Sequence, residues 1–172
     1  LIKAQILIKR FPRWREQITI ETWGKRKVRL YALRDFNVAS ETGENLILAT
    51  SSWMILDRTT GRPQRFDQKS DSLPWLPDKE VMETNLEKVP QLKSGKELSQ
   101  FRVHFSDIDV NRHVNSAKYL EWIIDSHLQV HLETKEIKAL EISFLSEAMQ
   151  NDGVTVYSEE SNGFELCSIR RT

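Results

Sequence analysis

Residues 106–126 of the chain read SDIDVNRHVNSAKYLEWIIDS, a polar segment that leads directly into an amphipathic pattern. Asn115 is a suitable N-cap, because its side-chain oxygen can accept a hydrogen bond from an unpaired N–H of the first helical turn. Val114 and Tyr119 have the spacing of a hydrophobic staple around that cap. Apolar residues then recur at intervals of three and four, namely Leu120, Ile123, Ile124 and Leu128. The pattern predicts one long helix over residues 115–130.

The sequence around this helix alternates apolar and polar residues, as is typical of β-strands. Before the helix the predicted strands are EQITIETW, KVRLYALRDFNV, NLILATSSWMILD and LSQFRVHF, and after it they lie at about 136–145, 153–159 and 163–170. The turn residues of ASETGEN predict that the second and third of these strands form a hairpin. Residues 67–97 hold three of the five prolines and show no alternation, so we expect a linker there with one short helix after Pro77.

The two halves of the chain resemble each other when the sequence is shifted by 136 positions. QITIETWGKRKVRLYALR, residues 17–34, then lies over GVTVYSEESNGFELCSIR, residues 153–170, without a gap. Such a match predicts an internal duplication. The second copy begins with a strand and helix that the first copy lacks, and the first copy continues into a hairpin that the second lacks. We therefore expect a chain that is trimmed at both ends.

A repeating unit of one strand, one long helix and an antiparallel meander predicts a curved sheet wrapped around a helix, the hotdog arrangement. Two tandem units give an α+β double hotdog. We expect residues 1–66 to form the incomplete N-terminal unit, residues 67–97 the linker and residues 98–172 the C-terminal unit.

The polar segment before the helix is the candidate for chemistry. Asp109, Asn111 and His113 alternate, so in an extended segment their side chains would share one side, next to the free N–H groups of the helix start. Together they would supply a histidine, a carboxylate, an amide and donors for an oxyanion. Glu147, at the expected end of a strand near the helix, would supply a base. Turn-forming and capping roles for the same residues remain open at this point.

Charge is unevenly distributed along a chain of zero net charge. Residues 3–29 hold nine basic and two acidic side chains, and residues 107–165 hold twelve acidic and four basic ones. The asymmetry fits either a surface for an acidic partner or two solvated faces. GKRKVR, residues 24–29, has the composition of a turn between strands, which predicts that Lys25, Arg26 and Lys27 are exposed.

Cysteine and histidine usage excludes other classes of site. The single cysteine, Cys167, cannot form an internal disulfide, which favours a reducing compartment. In the internal repeat Cys167 aligns with Tyr31, so we expect it to be a core residue. No apolar run approaches the roughly 20 residues that span a bilayer. His127 and His131 have a spacing that can share a metal, but no third ligand follows on that face, so we expect no metal. We also expect no cofactor, no nucleic acid and no membrane partner.

DIDVNRHVNSAKYLEW and LEISFLSEA resemble the two signatures of the acyl-acyl-carrier-protein thioesterases of plants and bacteria, and YALRDFNV and ATSSWMILD resemble segments of that family's first hotdog. The resemblance implies that Asp109, Asn111, His113 and Glu147 are catalytic. It implies hydrolysis of the thioester between a fatty acid and the phosphopantetheine arm of acyl carrier protein. Ala148 stands where plant members often have cysteine, which argues against a cysteine nucleophile here.

The resemblance also implies the partner and its compartment. Acyl carrier protein is acidic, so Lys25, Arg26 and Lys27 are the expected docking residues. A homodimer is expected, because packed hotdogs usually associate. The bacterial cytoplasm is the expected compartment, because no plastid transit peptide is visible, although an N-terminus trimmed ahead of Leu1 could hide one. An acyl-CoA thioesterase and a non-catalytic acyl-binding hotdog regulator remain as alternatives, and the sequence does not indicate the acyl chain length.

Overall fold

The computed structural model describes residues 1–57, 59–66, 75–84, 87–127 and 135–172. The described residues contain nine strands and one α-helix: β1 (Lys3–Ile8), β2 (Ile18–Val28), β3 (Tyr31–Ser40), β4 (Asn45–Leu56), β5 (Pro63–Gln64), β6 (Lys96–Arg102), α1 (Ser116–Asp125), β7 (Ala139–Ser143), β8 (Gly153–Ser161) and β9 (Phe164–Arg171). They divide into two compact units, Leu1–Val89 with Ile137–Phe144 and Pro90–Glu136 with Leu145–Thr172.

The first unit is built on an antiparallel sheet with the strand order β2-β3-β4-β1-β7, and β5 pairs with β4. Its buried apolar residues are Ile8, Trp23, Ala32, Leu33, Leu46 and Leu48. The hairpin predicted from ASETGEN is confirmed as β3 and β4. The strand β7 lies in this sheet, although its residues fall in the range 98–172 that was assigned to the C-terminal unit.

The second unit places α1 on a sheet with the order β6-β8-β9. Its core consists of Val103, Val114, Trp122, Ala148, Val154 and Val156. Trp122 stacks on Phe101 with 6.1 Å between ring centroids and meets the edge of Tyr119 at 5.4 Å. The buried face of the helix is therefore centred on Trp122, which the predicted stripe of Leu120, Ile123, Ile124 and Leu128 did not include. Leu120 and Ile124 are only half-buried.

The helix begins where the sequence predicts. Asn115 is the N-cap, and its side chain accepts a hydrogen bond from the Ala117 N–H at 3.0 Å. The helix ends at Asp125, and the predicted continuation to residue 130 lies partly outside the described residues. The prediction of a short helix after Pro77 is wrong for residues 75–84. The chain forms a turn at Pro77–Asp78 there instead.

The predicted turn at residues 24–29 is also wrong. β2 runs through this stretch to Val28, and the chain reverses at Arg29 and Leu30. Arg29 has a φ of 57°, a left-handed conformation that tightens the reversal. A β-bulge between Gly24 and Arg26 shifts the register against β3. Because a bulge interrupts the alternation of side chains, residue types alone do not indicate which of these basic residues points inward.

The internal repeat has structural counterparts. A shift of 136 positions relates β1 to β7, and these two strands pair with each other, Lys3 opposite Ser143 and Leu7 opposite Ala139. The same shift relates the hairpin β2–β3 to the hairpin β8–β9, both antiparallel. Among the described residues, no helix has the length and apolar character needed to cross a membrane.

Candidate active site

The residues from Asp109 to His113 form a closed turn. The Asp109 N–H donates to the His113 carbonyl at 2.9 Å, and the Arg112 N–H donates to the Asp109 carbonyl at 3.0 Å. Arg112 has a φ of 67°, and Ile108 and Val114 form a bridge at the base of the turn. The extended segment expected from the alternation of polar residues is therefore wrong.

The carboxylate of Asp109 explains this turn. Its Oδ1 accepts the Asn111 N–H at 2.8 Å and the His113 N–H at 3.4 Å, and its Oδ2 accepts the Asn111 side-chain amide at 3.3 Å. Side chains of this type compete with strand hydrogen bonds for nearby N–H groups. Partial desolvation opposes ionisation, but these hydrogen bonds lower the pKa of Asp109 below its ordinary value. Asp109 and Asn111 thus shape the turn that carries His113.

His113 and Glu147 form the central contact of the site. The His113 Nδ1 lies 2.9 Å from the Glu147 Oε2, with 37% of the histidine side chain and 61% of the glutamate side chain exposed. Glu147 stands in the loop after β7, four residues beyond its last residue, Ser143, and not at the strand end as expected. The Oε2 atom is bound to the imidazole, and most of the glutamate side chain is exposed to water. A carboxylate held in this way is suited to general base catalysis.

The backbone beside Glu147 is tied to the start of the helix. The Ala148 N–H donates to the Tyr119 hydroxyl oxygen at 3.0 Å, and the Val114 N–H donates to the Ala148 carbonyl at 3.2 Å. Ala148 is buried in the core of the second unit. Desolvation raises the pKa of Tyr119, the Ala148 N–H opposes this rise, and the charge of Glu147 adds to it. Sequence reasoning assigned Tyr119 only to a hydrophobic staple and missed its hydroxyl.

The helix start provides fewer free donors than expected. The Ala117 N–H is already bound to the side chain of Asn115, and the Lys118 N–H donates to the Asn115 carbonyl at 2.9 Å. Both donors are therefore unavailable to an oxyanion while the cap is formed.

Of the three predicted docking residues, Lys25 is not exposed. Its side chain has 0% exposure, and its Nζ donates to the Met82 carbonyl at 2.5 Å and to the Thr84 hydroxyl at 3.0 Å. The carboxylates of Asp35 and Glu80 lie 3.7 and 3.4 Å away. The exposure predicted for Lys25 is wrong, because the bulge turns this side chain inward, where four oxygen atoms surround its charge.

Arg26 and Lys27 do lie at the surface. The Arg26 guanidinium pairs with the Glu80 carboxylate at 2.9 Å, and the Lys27 ammonium lies 4.9 Å from the centre of the Trp75 ring. Their role in docking stays a prediction.

Both halves of the chain match models of one family. Residues 1–70 match the acyl-acyl-carrier-protein thioesterase N-terminal domain, and residues 91–171 match the C-terminal domain of the same enzymes. The chain belongs to the acyl-acyl-carrier-protein thioesterase family. The sequence resemblance is thereby confirmed.

Curated plant relatives extend this result. The oleoyl-acyl carrier protein thioesterase 2 of Arabidopsis thaliana, a chloroplast protein, is 30% identical over 96% of this chain and 48% of its own length. A chloroplastic acyl-[acyl-carrier-protein] hydrolase of Cuphea viscosissima is 30% identical over 95% of this chain and 41% of its own length. The chain thus spans about half the length of the curated relatives it matches, or somewhat less.

Solved thioesterase structures show the fold. An acyl-ACP thioesterase of Bacteroides thetaiotaomicron superposes with a TM-score of 0.81 at 24% identity and covers 99% of this chain and 69% of that one. The 12:0-ACP thioesterase of Umbellularia californica gives a TM-score of 0.76 at 20% identity, over 99% and 68% of the two chains. The α+β double hotdog class predicted from the sequence is confirmed.

Proposed function

We propose that the protein hydrolyses the thioester of fatty acyl-acyl carrier protein and releases the free fatty acid. The observation that carries the proposal is the pairing of His113 with Glu147 at 2.9 Å in a chain that belongs to this family. The test is release of fatty acid by the full-length protein from medium- and long-chain acyl carrier protein and from the corresponding acyl-CoA. Faster turnover of acyl-CoA would favour an acyl-CoA thioesterase, and binding without hydrolysis would favour a non-catalytic acyl-binding regulator.

In the proposed reaction, Glu147 is the general base. Its free carboxylate oxygen accepts a proton from water while the water oxygen bonds to the thioester carbonyl carbon. The carbon–sulfur bond then breaks, and the thiolate leaves and takes up one proton. His113 donates its Nδ1–H to the other carboxylate oxygen and so fixes the orientation of the base. Asp109 and Asn111 act through the turn that positions His113.

A cavity in the first unit suits the acyl chain. It has a volume of about 370 Å³ and is lined mainly by apolar side chains, namely Ala32, Leu33, Trp53, Met54, Ile55, Phe66 and Trp75. Ligand pockets of this size and character bury apolar groups efficiently.

Tyr119 is a positioning residue in this account. We expect Tyr119→Phe to lower the turnover number by roughly tenfold, which corresponds to a loss of about 1.4 kcal/mol in the transition state. The physical reason is that the Ala148 N–H loses its acceptor and the Glu147 backbone is released from the helix. Steady-state kinetics check this, with an unchanged Michaelis constant expected. Tyr157→Phe in β8 is the matched control, and equal losses in both variants would assign the effect to stability.

The remaining basic residues of the predicted docking patch give a second test. Reversing Arg26 and Lys27 to glutamate is expected to lower the second-order rate constant on acyl-acyl carrier protein and to flatten its salt dependence. Exposed charges steer encounter, and salt screens them over about 10 Å at 0.1 M. Turnover of a short pantetheine thioester, which lacks the acidic protein, should stay unchanged.

The matched control reverses two exposed lysines of the second unit, Lys93 and Lys96. If this control slows the carrier-protein reaction as much as the Arg26 and Lys27 reversal does, docking at those two residues is contradicted. A homodimer and a bacterial cytoplasmic setting stay predictions; size-exclusion chromatography with light scattering tests the first.

A further inference from the structure

His127, Glu165 and Cys167 bring three different metal-ligand types together in the second unit. Their ligand atoms all lie within 4.8 Å of one another. Glu165 and Cys167 are two positions apart in β9, so their side chains share one face of the strand. Ile169, two positions further on, packs against the core that contains Trp122. That face of β9 is therefore the one that α1 covers, and His127 follows the last turn of α1.

The hydrogen bonds of His127 orient its ring toward β9. The Nδ1 atom lies 2.6 Å from the Ile123 carbonyl, which can only accept, so Nδ1 carries a proton. The other nitrogen, Nε2, lies 2.8 Å from the Glu165 carboxylate. Metal-binding histidines characteristically donate one ring N–H to a carbonyl and present the other nitrogen to the metal. The carbonyl belongs to the C-terminal end of a helix, where the dipole favours a cation.

We propose that His127, Glu165 and Cys167 bind a divalent transition metal ion of the zinc class. Imidazole nitrogen, carboxylate oxygen and thiolate sulfur are the ligands that zinc takes in proteins, with water able to complete a tetrahedral set. Glu165 is partly exposed, so its carboxylate can rotate away from direct contact with Nε2 and bind the ion. On binding, the Nε2 atom of His127 gives up the hydrogen that it shares with Glu165 and bonds to the metal. The sulfur of Cys167 also bonds to the metal, and the Nε2 proton and the thiol proton both pass to solvent.

A cysteine nucleophile activated by His127 does not fit this arrangement. In the structure the ring nitrogens contact the Ile123 carbonyl and the Glu165 carboxylate, so His127 is not hydrogen-bonded to the thiol as a general base would be. Burial raises the pKa of Cys167 to about 11, and the charge of Glu165 adds to the rise. A bound cation is what would make a thiolate stable here. The ion would fasten the end of α1 to β9, a structural role that is independent of the proposed hydrolase activity.

The sequence alone did not indicate this cluster. It paired His127 with His131, which lies outside the described residues, and found no third ligand. The two additional ligands come from a strand 38 and 40 positions later in the chain.

The test is a titration of the chelator-treated full-length protein with Co²⁺, followed by absorption spectroscopy. We expect a thiolate-to-cobalt charge-transfer band in the near ultraviolet together with visible bands of a tetrahedral ion, both lost on addition of Zn²⁺. Cys167→Ser should abolish the charge-transfer band, and His127→Gln should weaken cobalt binding by roughly tenfold or more. His104→Gln, a histidine of the same unit outside the cluster, is the matched control and should bind as the unaltered protein does.

A measurement of stability keeps the test independent of spectroscopy. Zn²⁺ should raise the melting temperature of the unaltered protein and of His104→Gln but not of Cys167→Ser, because only a site in the folded state stabilises it. Metal binding should weaken as the pH falls, since protons compete for the sulfur. Circular dichroism establishes that each variant is folded. No charge-transfer band at saturating Co²⁺, or the same band in folded Cys167→Ser, would overturn the proposal.

Discussion

Glu147→Gln is expected to lower the turnover number on fatty acyl-acyl carrier protein by about 10²–10⁴, the usual contribution of a general base. Glutamine keeps the size of the side chain. Its amide oxygen can accept the His113 Nδ1–H in place of the Glu147 carboxylate oxygen, which lies 2.9 Å from Nδ1 in the native protein. It cannot take a proton from water. The Michaelis constant should change little, because the lost interaction acts in the transition state.

The matched control is Glu160→Gln, an exposed glutamate of β8 in the same unit, which should keep full activity. His113→Ala separates the roles within the pair. If Glu147 is the base, the histidine variant loses no more activity than Glu147→Gln. A clearly larger loss in His113→Ala would make the imidazole the base and the carboxylate its orienting partner.

Asp35→Ala is expected to destabilise the first unit by about 3–5 kcal/mol, the range for breaking a buried ion pair by removing one partner. Asp35 has no exposed surface and lies 3.7 Å from the equally buried Lys25 ammonium. Its Oδ1 accepts the Thr50 hydroxyl at 2.7 Å, and its Oδ2 accepts the Val81 N–H at 3.0 Å. The substitution leaves an ammonium, a hydroxyl and an amide without this shared acceptor. Urea unfolding measures the free energy.

An exposed pair provides the matched control for this prediction. Glu21 and Lys79 are 3.1 Å apart with about half of each side chain in solvent, so Glu21→Ala should change the unfolding free energy little. The double variant Lys25→Met with Asp35→Leu should be more stable than Asp35→Ala, because it removes the buried ammonium together with its buried carboxylate partner. A free-energy loss in Asp35→Ala no larger than in Glu21→Ala would contradict the buried network.

The sequence predicted correctly those elements that depend on interactions between residues close together in the chain. The Asn115 cap, the β3–β4 hairpin and the strands β8 and β9 depend on near neighbours in sequence and appear where expected. Lys25 was misassigned because the bulge at Gly24–Arg26 reverses the direction of its side chain. Three consecutive basic residues resemble a solvated turn unless the acceptors supplied by residues 80–84 are known, and these acceptors are more than 50 positions away.

In the candidate site, too, contacts between near neighbours in sequence were easier to predict than contacts between distant residues. Asp109, Asn111 and His113 were nominated as a cluster because they are close in sequence, but the alternation that suggested an extended segment was overridden by the hydrogen bonds of Asp109. Glu147 was nominated as the base from its expected position at the end of a strand near the helix, and the family resemblance supported that assignment. The Tyr119–Ala148 contact joins a helix to a loop 29 positions away, and no local signal marks it.

A single turnover of acyl-acyl carrier protein by the full-length protein in water labelled with heavy oxygen tests the role of Glu147 most directly. Attack by water that Glu147 activates predicts that the label enters the released fatty acid in this first turnover and that Glu147 stays unlabelled. Mass spectrometry of the fatty acid and of the peptide that contains Glu147 measures both. Unlabelled fatty acid together with label in Glu147 would show that the carboxylate attacks the thioester itself, and the proposed role of Glu147 as a general base would be wrong.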